Sequence, residues 1–439
     1  MIKLSNTLTR EIEEFKPLDA SHIKMYVCGP TVYAPPHIGN ARSVVVYDML
    51  FRLLRQQFPN VTYVRNITDV DDKINAAAVE RNITIRALTE EITAKFHADM
   101  AALNCLPPTI EPRATEHIAG MISLIEKLIA GGYAYAAEGH VLFRVQKDEN
   151  YGKLSRRSMK DMVAGARVEV APYKEYAGDF VLWKPASEKD DASAKFDSPW
   201  GVGRPGWHIE CSAMSAAHLG TDFDIHGGGA DLMFPHHENE IAQSTCGHAG
   251  SSYARYWVHN GFLTVEGEKM SKSLGNFITV DDLLQRGVKG EVIRFALLST
   301  RYNEPLDWSE KLLADSQKVL DRLYRQSGAV SEKAELNAEI LAALCDNLNT
   351  PKALAILQTL DGVALRANAN FLGLLNLTAE QWFQGEASDD TLWIDVQIAA
   401  RDAAKRARDF ATSDAIRDTL KARGIILEDS ATGTTWRRG

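Results

Sequence analysis

The chain has 439 residues, of which 45% are hydrophobic and 24% are charged. This length predicts roughly three domains at about 150 residues each, and the composition excludes a disordered or collagen-like chain. Because 49 Lys and Arg residues face 58 Asp and Glu residues, the formal net charge is −9. A uniformly basic nucleic-acid-binding surface is therefore excluded, although a local basic patch is not.

The cysteines favour a reducing compartment. They are far apart and odd in number: Cys28, Cys105, Cys211, Cys246 and Cys345. Such spacing indicates thiols with a metal-binding or catalytic use rather than a disulfide framework. Residues 1–16 contain no apolar signal-peptide core, and no apolar run reaches the roughly 18 residues that would span a bilayer. We therefore expect a cytoplasmic protein without a membrane partner.

The predicted elements begin with a β-α-β unit. Ile23 to Cys28 and Val61 to Ile67 are apolar runs typical of strands, and Ile38 to Leu54 between them has helical periodicity. Ligands of parallel sheets lie beyond the carboxyl ends of the strands, which here means the loop at Gly29-Pro30. Two further helices are predicted, at Ile83 to Leu103 and at His117 to Ile129.

The middle of the chain changes pattern twice. Short strands and turns from Tyr133 to Lys184 indicate an inserted domain, which ends in the polar stretch Ser187 to Ser198. The α/β pattern then returns with predicted strands at Trp207 to Cys211 and Phe223 to Gly229.

The last third is predicted to be helical. Helices fill Ser309 to Gln384, interrupted by a loop at Ser327 to Ala334, and one starts at Asn349-Thr350-Pro351. Two more helices, at Trp393 to Phe410 and Thr412 to Arg423, precede a strand at Ile425. The pattern thus predicts more units than the length alone: a Rossmann-like parallel-sheet domain in two parts (1–120 and 204–308), an inserted domain (121–203), a helical bundle (309–390) and a C-terminal unit (391–439).

Two segments are suited to bind phosphate. His37-Ile-Gly-Asn40 stands where the first strand gives way to a helix, whose N-terminal N–H groups favour anions, although an exposed histidine in a turn is an equal alternative. Glu268-Lys-Met-Ser-Lys-Ser273 carries Lys269 and Lys272 on a loop that could clamp a polyphosphate. A solvated charge run is the alternative for the second segment.

A scattered set of donors could bind zinc. His236 and Glu240 are four residues apart and share a face if helical, while Cys28 and Cys211 close two predicted strands. Buried structural cysteines are the alternative, and Cys246 with His248 forms a second, incomplete pair. Cys105 and Cys345 have the apolar surroundings of core residues.

These segments together resemble the two signature motifs of class I aminoacyl-tRNA synthetases, and their setting is similar to the cysteinyl-tRNA synthetase family. The resemblance rests on Met25 to Tyr33, Tyr63 to Lys73, Gly206 to Met214, Asp224 to Gly229, Phe234 to Glu240 and Gly433 to Arg438. Asn40 departs from the class pattern, which most often has a second histidine there.

The resemblance implies roles for individual residues. Zinc would bind Cys28, Cys211, His236 and Glu240, and the cysteine substrate would lie against Gly29, Thr68 and Trp207. ATP would lie along Pro30, His37, Gly39 and Asn40 and under Lys269 and Lys272, with Lys272 as its principal lysine and Mg²⁺ held by phosphates and water. His208, His226 and His237 are expected to line the site, or else to be structural.

The expected reaction is activation of L-cysteine by ATP and transfer to tRNA(Cys) by a monomeric enzyme. Between Trp393 and Gly439 there are nine basic and seven acidic residues, and Trp436 could either stack on an anticodon base or fill a core. The alternatives are a ligase of the mycothiol-biosynthesis type, which uses an amino-sugar acceptor, and a non-catalytic synthetase-like RNA-binding protein.

Overall fold

The computed structural model of the chain mixes helices and strands up to Trp308 and is mostly helical beyond it. The structure describes residues 1–158, 171–187, 190–271, 274–327, 335–385, 389–430 and 433–438. None of the helices in these ranges is long and apolar enough to cross a membrane.

Strands in the described ranges form five sheets. They are β1 (Lys3–Asn6), β2 (Glu11–Glu14), β3 (Ile23–Val27), β4 (Val61–Arg65), β5 (Ala134–Ala137), β6 (His140–Phe143), β7 (Phe180–Pro185), β8 (Gly203–Pro205), β9 (Phe223–Gly229), β10 (Ala254–Asn260), β11 (Leu263–Val265), β12 (Glu268–Lys269), β13 (Leu306–Trp308), β14 (Ile425–Ser430) and β15 (Gly433–Arg438).

Helices surround these sheets and continue past them. They are α1 (Ile38–Gln57), α2 (Asp72–Arg81), α3 (Ile85–Ala102), α4 (Ile118–Ala130), α5 (Trp207–Leu219), α6 (Glu238–Gly247), α7 (Val280–Gln285), α8 (Gly290–Leu298), α9 (Glu310–Gln326), α10 (Ala338–Cys345), α11 (Thr350–Leu357), α12 (Gly362–Phe371), α13 (Ala379–Gln384), α14 (Asp389–Arg406) and α15 (Phe410–Ala422).

A parallel sheet of order β10-β9-β3-β4 forms the centre of the first half. Its strands are almost wholly buried, as expected for a parallel sheet covered on both faces. The predicted strands at Ile23 and Val61, the strand at Phe223 and the helix at Ile38 are confirmed. Because all four strands run the same way, their carboxyl ends meet at one edge of the sheet.

The inserted segment folds as an antiparallel sheet of order β5-β6-β7-β8. An ion-pair network ties it to the start of α2, since Arg204 of β8 pairs with Asp72 and with Asp190, and Lys184 of β7 also reaches Asp72 at 2.7 Å. The predicted strands at Val141 and Phe180 are confirmed. The inserted sheet thus stands directly beside the carboxyl edge of the parallel sheet.

The strand predicted at Trp207 to Cys211 is wrong, because this segment is the first turn of helix α5. Its aromatic and β-branched residues favour a strand in a short window, but Ala213, Met214 and the alanines that follow favour a helix. The helix ends at Gly220, whose φ of 89° suits glycine. Cys211 therefore lies on a helix start rather than at a strand end.

The C-terminal half confirms the predicted helices, including the start at Asn349, whose side chain accepts the backbone N–H of Lys352. Most of the predicted loop at Ser327 to Ala334 lies outside the described residues. The last helices pack on the hairpin of β14 and β15 around a separate small core: Ile394, Ile398, Leu420, Ile425 and Trp436.

Trp436 is a core residue. Its side chain is 4% exposed, and its indole N–H donates to Asp395 Oδ1 at 2.9 Å. Stacking on an anticodon base is therefore wrong for this conformation, and the alternative of a core tryptophan is confirmed. The local sequence could not show this, because the pocket for the ring is formed by Ile394 and Ile398 of one helix and Leu420 of the next.

Candidate active site

Four potential metal donors converge at the carboxyl edge of the parallel sheet. Cys28 follows β3 directly, and Cys211 and Glu240 lie in the first turns of α5 and α6. His236 lies in the turn that precedes α6. The donor atoms of these four residues are all within 4.8 Å of one another. The structure thus brings together residues that are more than 200 positions apart in the chain.

The distances within this donor cluster are short. Cys28 Sγ lies 3.6 Å from Cys211 Sγ and 3.4 Å from Glu240 Oε1. His236 Nε2 lies 3.0 Å from the same Glu240 oxygen, as the i, i+4 spacing predicted. Cys211, His236 and Glu240 are at most 2% exposed. Two thiols, one imidazole and one carboxylate are a donor set that fits tetrahedral zinc.

Burial and the neighbouring imidazoles set the charges in the cluster. Burial raises the pKa of the Cys28 thiol well above its ordinary value, and Cys211 adds to this effect. Burial opposes ionisation of Cys211 too, but hydrogen bonding with Cys28 and the charge of His236 lower its pKa to about 6. The pKa of Glu240 is held well below its ordinary range, because His226 and His236 outweigh the effect of burial. The cluster therefore holds buried anionic donors, which favour a cation.

Glu240 uses its two oxygens differently. Oε1 faces the cluster, whereas Oε2 accepts a hydrogen bond from the Tyr253 hydroxyl at 2.9 Å and lies 2.8 Å from His226 Nε2. Tyr253 also contacts the Ser215 hydroxyl at 3.0 Å. The carboxylate is thus anchored from behind by β9 and by the residue preceding β10.

The predicted histidines surround the cluster. His208 Nδ1 lies 2.9 Å from His236 Nδ1, and His237 Nε2 lies 4.0 Å from Glu240 Oε1. Cys28, His226, His237 and Glu240 form a second, overlapping donor group. Cys246 and His248 belong to no donor group within the described ranges, so this incomplete pair offers no metal site there.

The residues predicted to bind the cysteine substrate lie beside the cluster. The indole ring of Trp207 stacks on the His236 imidazole with centroids 4.3 Å apart. Gly29 packs closely on the neighbouring strand end, since a Cβ there would lie 1.6 Å from the backbone oxygen of Asn66. The Gly29 N–H donates to Asn66 Oδ1 at 2.9 Å, and Asn66 Nδ2 donates to Thr68 Oγ1 at 3.1 Å.

This hydrogen-bond chain ends at Glu210, a residue that the sequence analysis missed. The Thr68 hydroxyl donates to Glu210 Oε2 at 3.0 Å. Burial, followed by the nearby Cys211 thiolate, raises the pKa of Glu210 well above its ordinary value. Helical spacing is the signal that could have found it, since Trp207, Glu210 and Cys211 are at positions i, i+3 and i+4.

A cavity of about 300 Å³ opens next to these residues. Trp207 and Glu210 line it from α5, Asp71 lines it from the start of α2, and His140 and Lys184 line it from the inserted sheet. The inserted sheet therefore supplies one wall of this cavity.

The first signature segment caps helix α1. His37 Nδ1 accepts the backbone N–H of Asn40 at 3.2 Å, and Asn40 Oδ1 accepts the backbone N–H of His37 at 3.1 Å. Burial lowers the pKa of His37, which suits a neutral ring that accepts at Nδ1. A Cβ at Gly39 would lie 2.9 Å from the His37 ring, so any larger residue there would displace the ring. Since Asn40 Oδ1 is used, the side chain of Asn40 has its N–H₂ group left to donate.

The residues that follow the second signature segment lie against the first signature segment. The backbone N–H of Ile38 donates to Ile278 O at 3.0 Å, and that of Val280 donates to Pro36 O at 3.1 Å. Pro30 is near the same edge, where its carbonyl accepts the backbone N–H of Thr68 at 3.0 Å. Lys269 is exposed on β12, whereas Lys272 lies outside the described residues.

Solved structures share this fold. The Mycobacterium tuberculosis methionyl-tRNA synthetase in complex with methionyl-adenylate is 16% identical with a TM-score of 0.55, and the match covers 80% of this chain and 83% of that one. The LeuRS–tRNA–LeuAMS ternary complex of Agrobacterium radiobacter is 11% identical with a TM-score of 0.54, covering 84% and 86%. With the parallel sheet, these likenesses define the fold of a class I aminoacyl-tRNA synthetase.

The sequence comparisons are more specific. Residues 14–318 match the family described as tRNA synthetases class I (C) catalytic domain. The cysteine–tRNA ligases of Rhodospirillum rubrum and Acidiphilium cryptum are 55% and 58% identical, each over 100% of this chain and 99% of the relative. The cysteine–tRNA ligase of Paramagnetospirillum magneticum is 56% identical over 99% of both chains. The chain belongs to the cysteine–tRNA ligase family and is a ligase.

Proposed function

We propose that the protein activates L-cysteine with ATP and transfers the cysteinyl group to tRNA(Cys). The observation that carries this proposal is the donor cluster of Cys28, Cys211, His236 and Glu240, which lies beside the residues expected to hold cysteine. In activation, an oxygen of the cysteine carboxylate bonds to the α-phosphorus of ATP while the bond to pyrophosphate breaks. In transfer, a terminal ribose hydroxyl of tRNA displaces AMP.

Zinc is the metal we propose for the donor cluster. When bound, it would supply a position at which a substrate thiol is held as thiolate, whereas a neutral alcohol is a weak ligand. This matters because serine differs from cysteine by one atom, and apolar shape selection gives only about 10- to 200-fold discrimination for such a small change. The inserted segment would then need no editing site.

The chain's own residues would position the reactants. The N-terminus of α1, with His37, Gly39 and Asn40, offers N–H donors to phosphate, and Pro30 lies along the same path. Lys269 and Lys272 would add positive charge where the α-phosphate becomes more negative during transfer. Mg²⁺ would be held by phosphates and water, so no side chain is assigned to it.

The C-terminal unit is proposed to bind the anticodon part of tRNA. Its excess of basic over acidic residues contrasts with the net charge of −9 for the whole chain. Its small hydrophobic core is separate from the main one. This distribution favours tRNA over an amino sugar as the acceptor.

The test is cysteine-dependent exchange of pyrophosphate into ATP, with and without a zinc chelator and with serine as competitor. We expect the exchange to require zinc and its rate to be unchanged by added serine. Cys211→Ser should lose both zinc and exchange, while Cys246→Ser, a change outside the donor cluster, should keep both. Full exchange by the zinc-free protein would refute the metal mechanism.

The acceptor is tested separately. Purified tRNA(Cys) as the sole acceptor should be charged with cysteine, and an amino sugar should not be. Charging of the amino sugar alone would support the mycothiol-type ligase instead. A complete lack of exchange would support the non-catalytic alternative.

A further inference from the structure

We propose that Glu210 binds the α-ammonium group of the cysteine substrate, a role that rests on the function proposed above. Cysteine carries a positive ammonium group that must leave water when it enters a closed site. The donor cluster accounts for the thiol, and the nucleotide segments account for the reacting carboxylate. Neither of them supplies a counter-charge for the ammonium group.

Glu210 is in the right place for this role. It is adjacent in the chain to Cys211, a member of the donor cluster, and it lines the cavity of about 300 Å³ together with Trp207. Its side chain is 1% exposed to solvent, so a ligand in the cavity would meet a carboxylate that water barely reaches. An ion pair made there would be weakly screened.

Thr68, which is hydrogen-bonded to Glu210, can accept a further hydrogen bond but has none to donate. The only hydroxyl hydrogen of Thr68 is donated to Glu210 Oε2, and Asn66 Nδ2 occupies one lone pair of the Thr68 oxygen. The remaining capacity of Thr68 is one lone pair. Thr68 can therefore accept from an ammonium group but cannot donate to a substrate carboxylate.

Glu210 also lacks the partners that two other buried carboxylates of the site region, Glu238 and Glu240, have. Glu238 accepts the backbone N–H groups of three residues, 152, 154 and 155, and Glu240 is paired with His226 and His236. Over the parts of the chain that the structure describes, no Lys, Arg or His nitrogen lies within 4.0 Å of the Glu210 carboxylate, and Thr68 is its one hydrogen-bond donor. A buried carboxylate without a cation is costly, and a substrate ammonium would supply the cation.

The experiment compares two substrates in pyrophosphate exchange: cysteine, and 3-mercaptopropionate, which has the thiol and the carboxylate but no ammonium group. Glu210→Gln keeps the shape and removes the charge. We expect its KM for cysteine to rise about 10- to 150-fold, the loss expected for a hydrogen bond between charged groups. Its KM for 3-mercaptopropionate and for ATP, and its zinc content, should stay unchanged.

Asp71→Asn is the matched control. Asp71 lines the same cavity, but its carboxylate caps helix α2 by accepting the backbone N–H of Lys73 at 2.8 Å, which asparagine can also do. The preference for cysteine over 3-mercaptopropionate should survive in Asp71→Asn. If Asp71→Asn loses this preference and Glu210→Gln keeps it, the ammonium site is Asp71 and the proposal is overturned.

Two further outcomes are decisive. If Glu210→Gln does not fold, Glu210→Asp can be used, because aspartate keeps the charge on a shorter side chain. Its KM for cysteine should rise more than its KM for 3-mercaptopropionate. An equal loss for both substrates in either variant would overturn the proposal, because it would show a general structural role. Absence of cysteine-dependent exchange in the unmodified protein would instead refute the function on which the proposal rests.

Discussion

Tyr253→Phe tests whether the second oxygen of Glu240 orients the donor cluster. The Tyr253 hydroxyl donates to Glu240 Oε2 at 2.9 Å from a side chain that is 1% exposed. Phenylalanine fills nearly the same volume, so the packing around the ring is kept. Ser215, the other partner of the hydroxyl, keeps its hydrogen bond to the Cys211 carbonyl at 2.7 Å. The substitution therefore removes the hydrogen bond to a buried carboxylate and the contact with the Ser215 hydroxyl.

The expected magnitude follows from the charge on Glu240. A hydrogen bond to a charged group contributes about 1.5–3 kcal/mol. Losing one that orients a metal ligand typically lowers metal affinity about 10- to 100-fold. His226 Nε2, which lies 2.8 Å from Oε2, is not touched by the change, so Glu240 should keep one anchor. We therefore expect the Kd for zinc to rise about 10- to 100-fold without complete loss of binding.

Tyr256→Phe is the control for this measurement. Tyr256 is 3% exposed, and its hydroxyl also makes two hydrogen bonds, to Glu14 O at 3.0 Å and from Lys16 N at 2.9 Å. Both variants thus lose the same number of contacts, but only Tyr253 touches the cluster. Zinc affinity is measured by competition with a chelator of known affinity. Equal Kd values for the two variants would refute the reasoning.

Two further predictions concern the terminal unit and stability against pH. Trp436→Ala should destabilise the small core by about 3–5 kcal/mol and abolish tRNA charging while leaving pyrophosphate exchange intact; equal losses in both reactions would contradict this. Asp99 is 4% exposed, and burial, followed by Asp281, raises its pKa to about 6. The folded protein therefore loses stability as the pH rises from about 4 to 6, because the Asp99 carboxyl must ionise in a buried position. In urea unfolding at pH 7.5, Asp99→Asn should be about 1 kcal/mol more stable than the parent protein, and the gain should be smaller at pH 5. The same gain at both pH values would show that the charge is not the cause.

The central sheet could be predicted from the sequence because its strands are continuous apolar runs. Four of the five residues of Ile23–Val27 and three of the five of Val61–Arg65 are buried, so burial does not follow the alternation of a strand with one exposed face. The turn that follows β3 was also predictable, since Gly29 is followed by proline. The ligand set needed more than spacing, because Cys28 and Glu240 are brought together only by the strand order.

The errors have tertiary causes. The residues next to Trp436 in the sequence do not show whether its ring is buried or exposed, because the pocket for the ring is formed by α14 and α15. The assignment of Trp207–Cys211 as a strand failed because a five-residue window with tryptophan and isoleucine fits both a strand and a buried helix. The following residues, from Ser212 to Leu219, decide for the helix.

The difference between a strand and a helix at this point decides which residues can form the site. On a strand, alternate residues share a face, so Trp207 and Cys211 would lie together while Glu210 would point to the opposite side of the sheet. On a helix, positions i, i+3 and i+4 share a face, and the structure accordingly places Trp207 on His236, Cys211 in the donor cluster and Glu210 against Thr68. The start of this helix therefore delivers an aromatic ring and a carboxylate to the cavity and a thiol to the donor cluster.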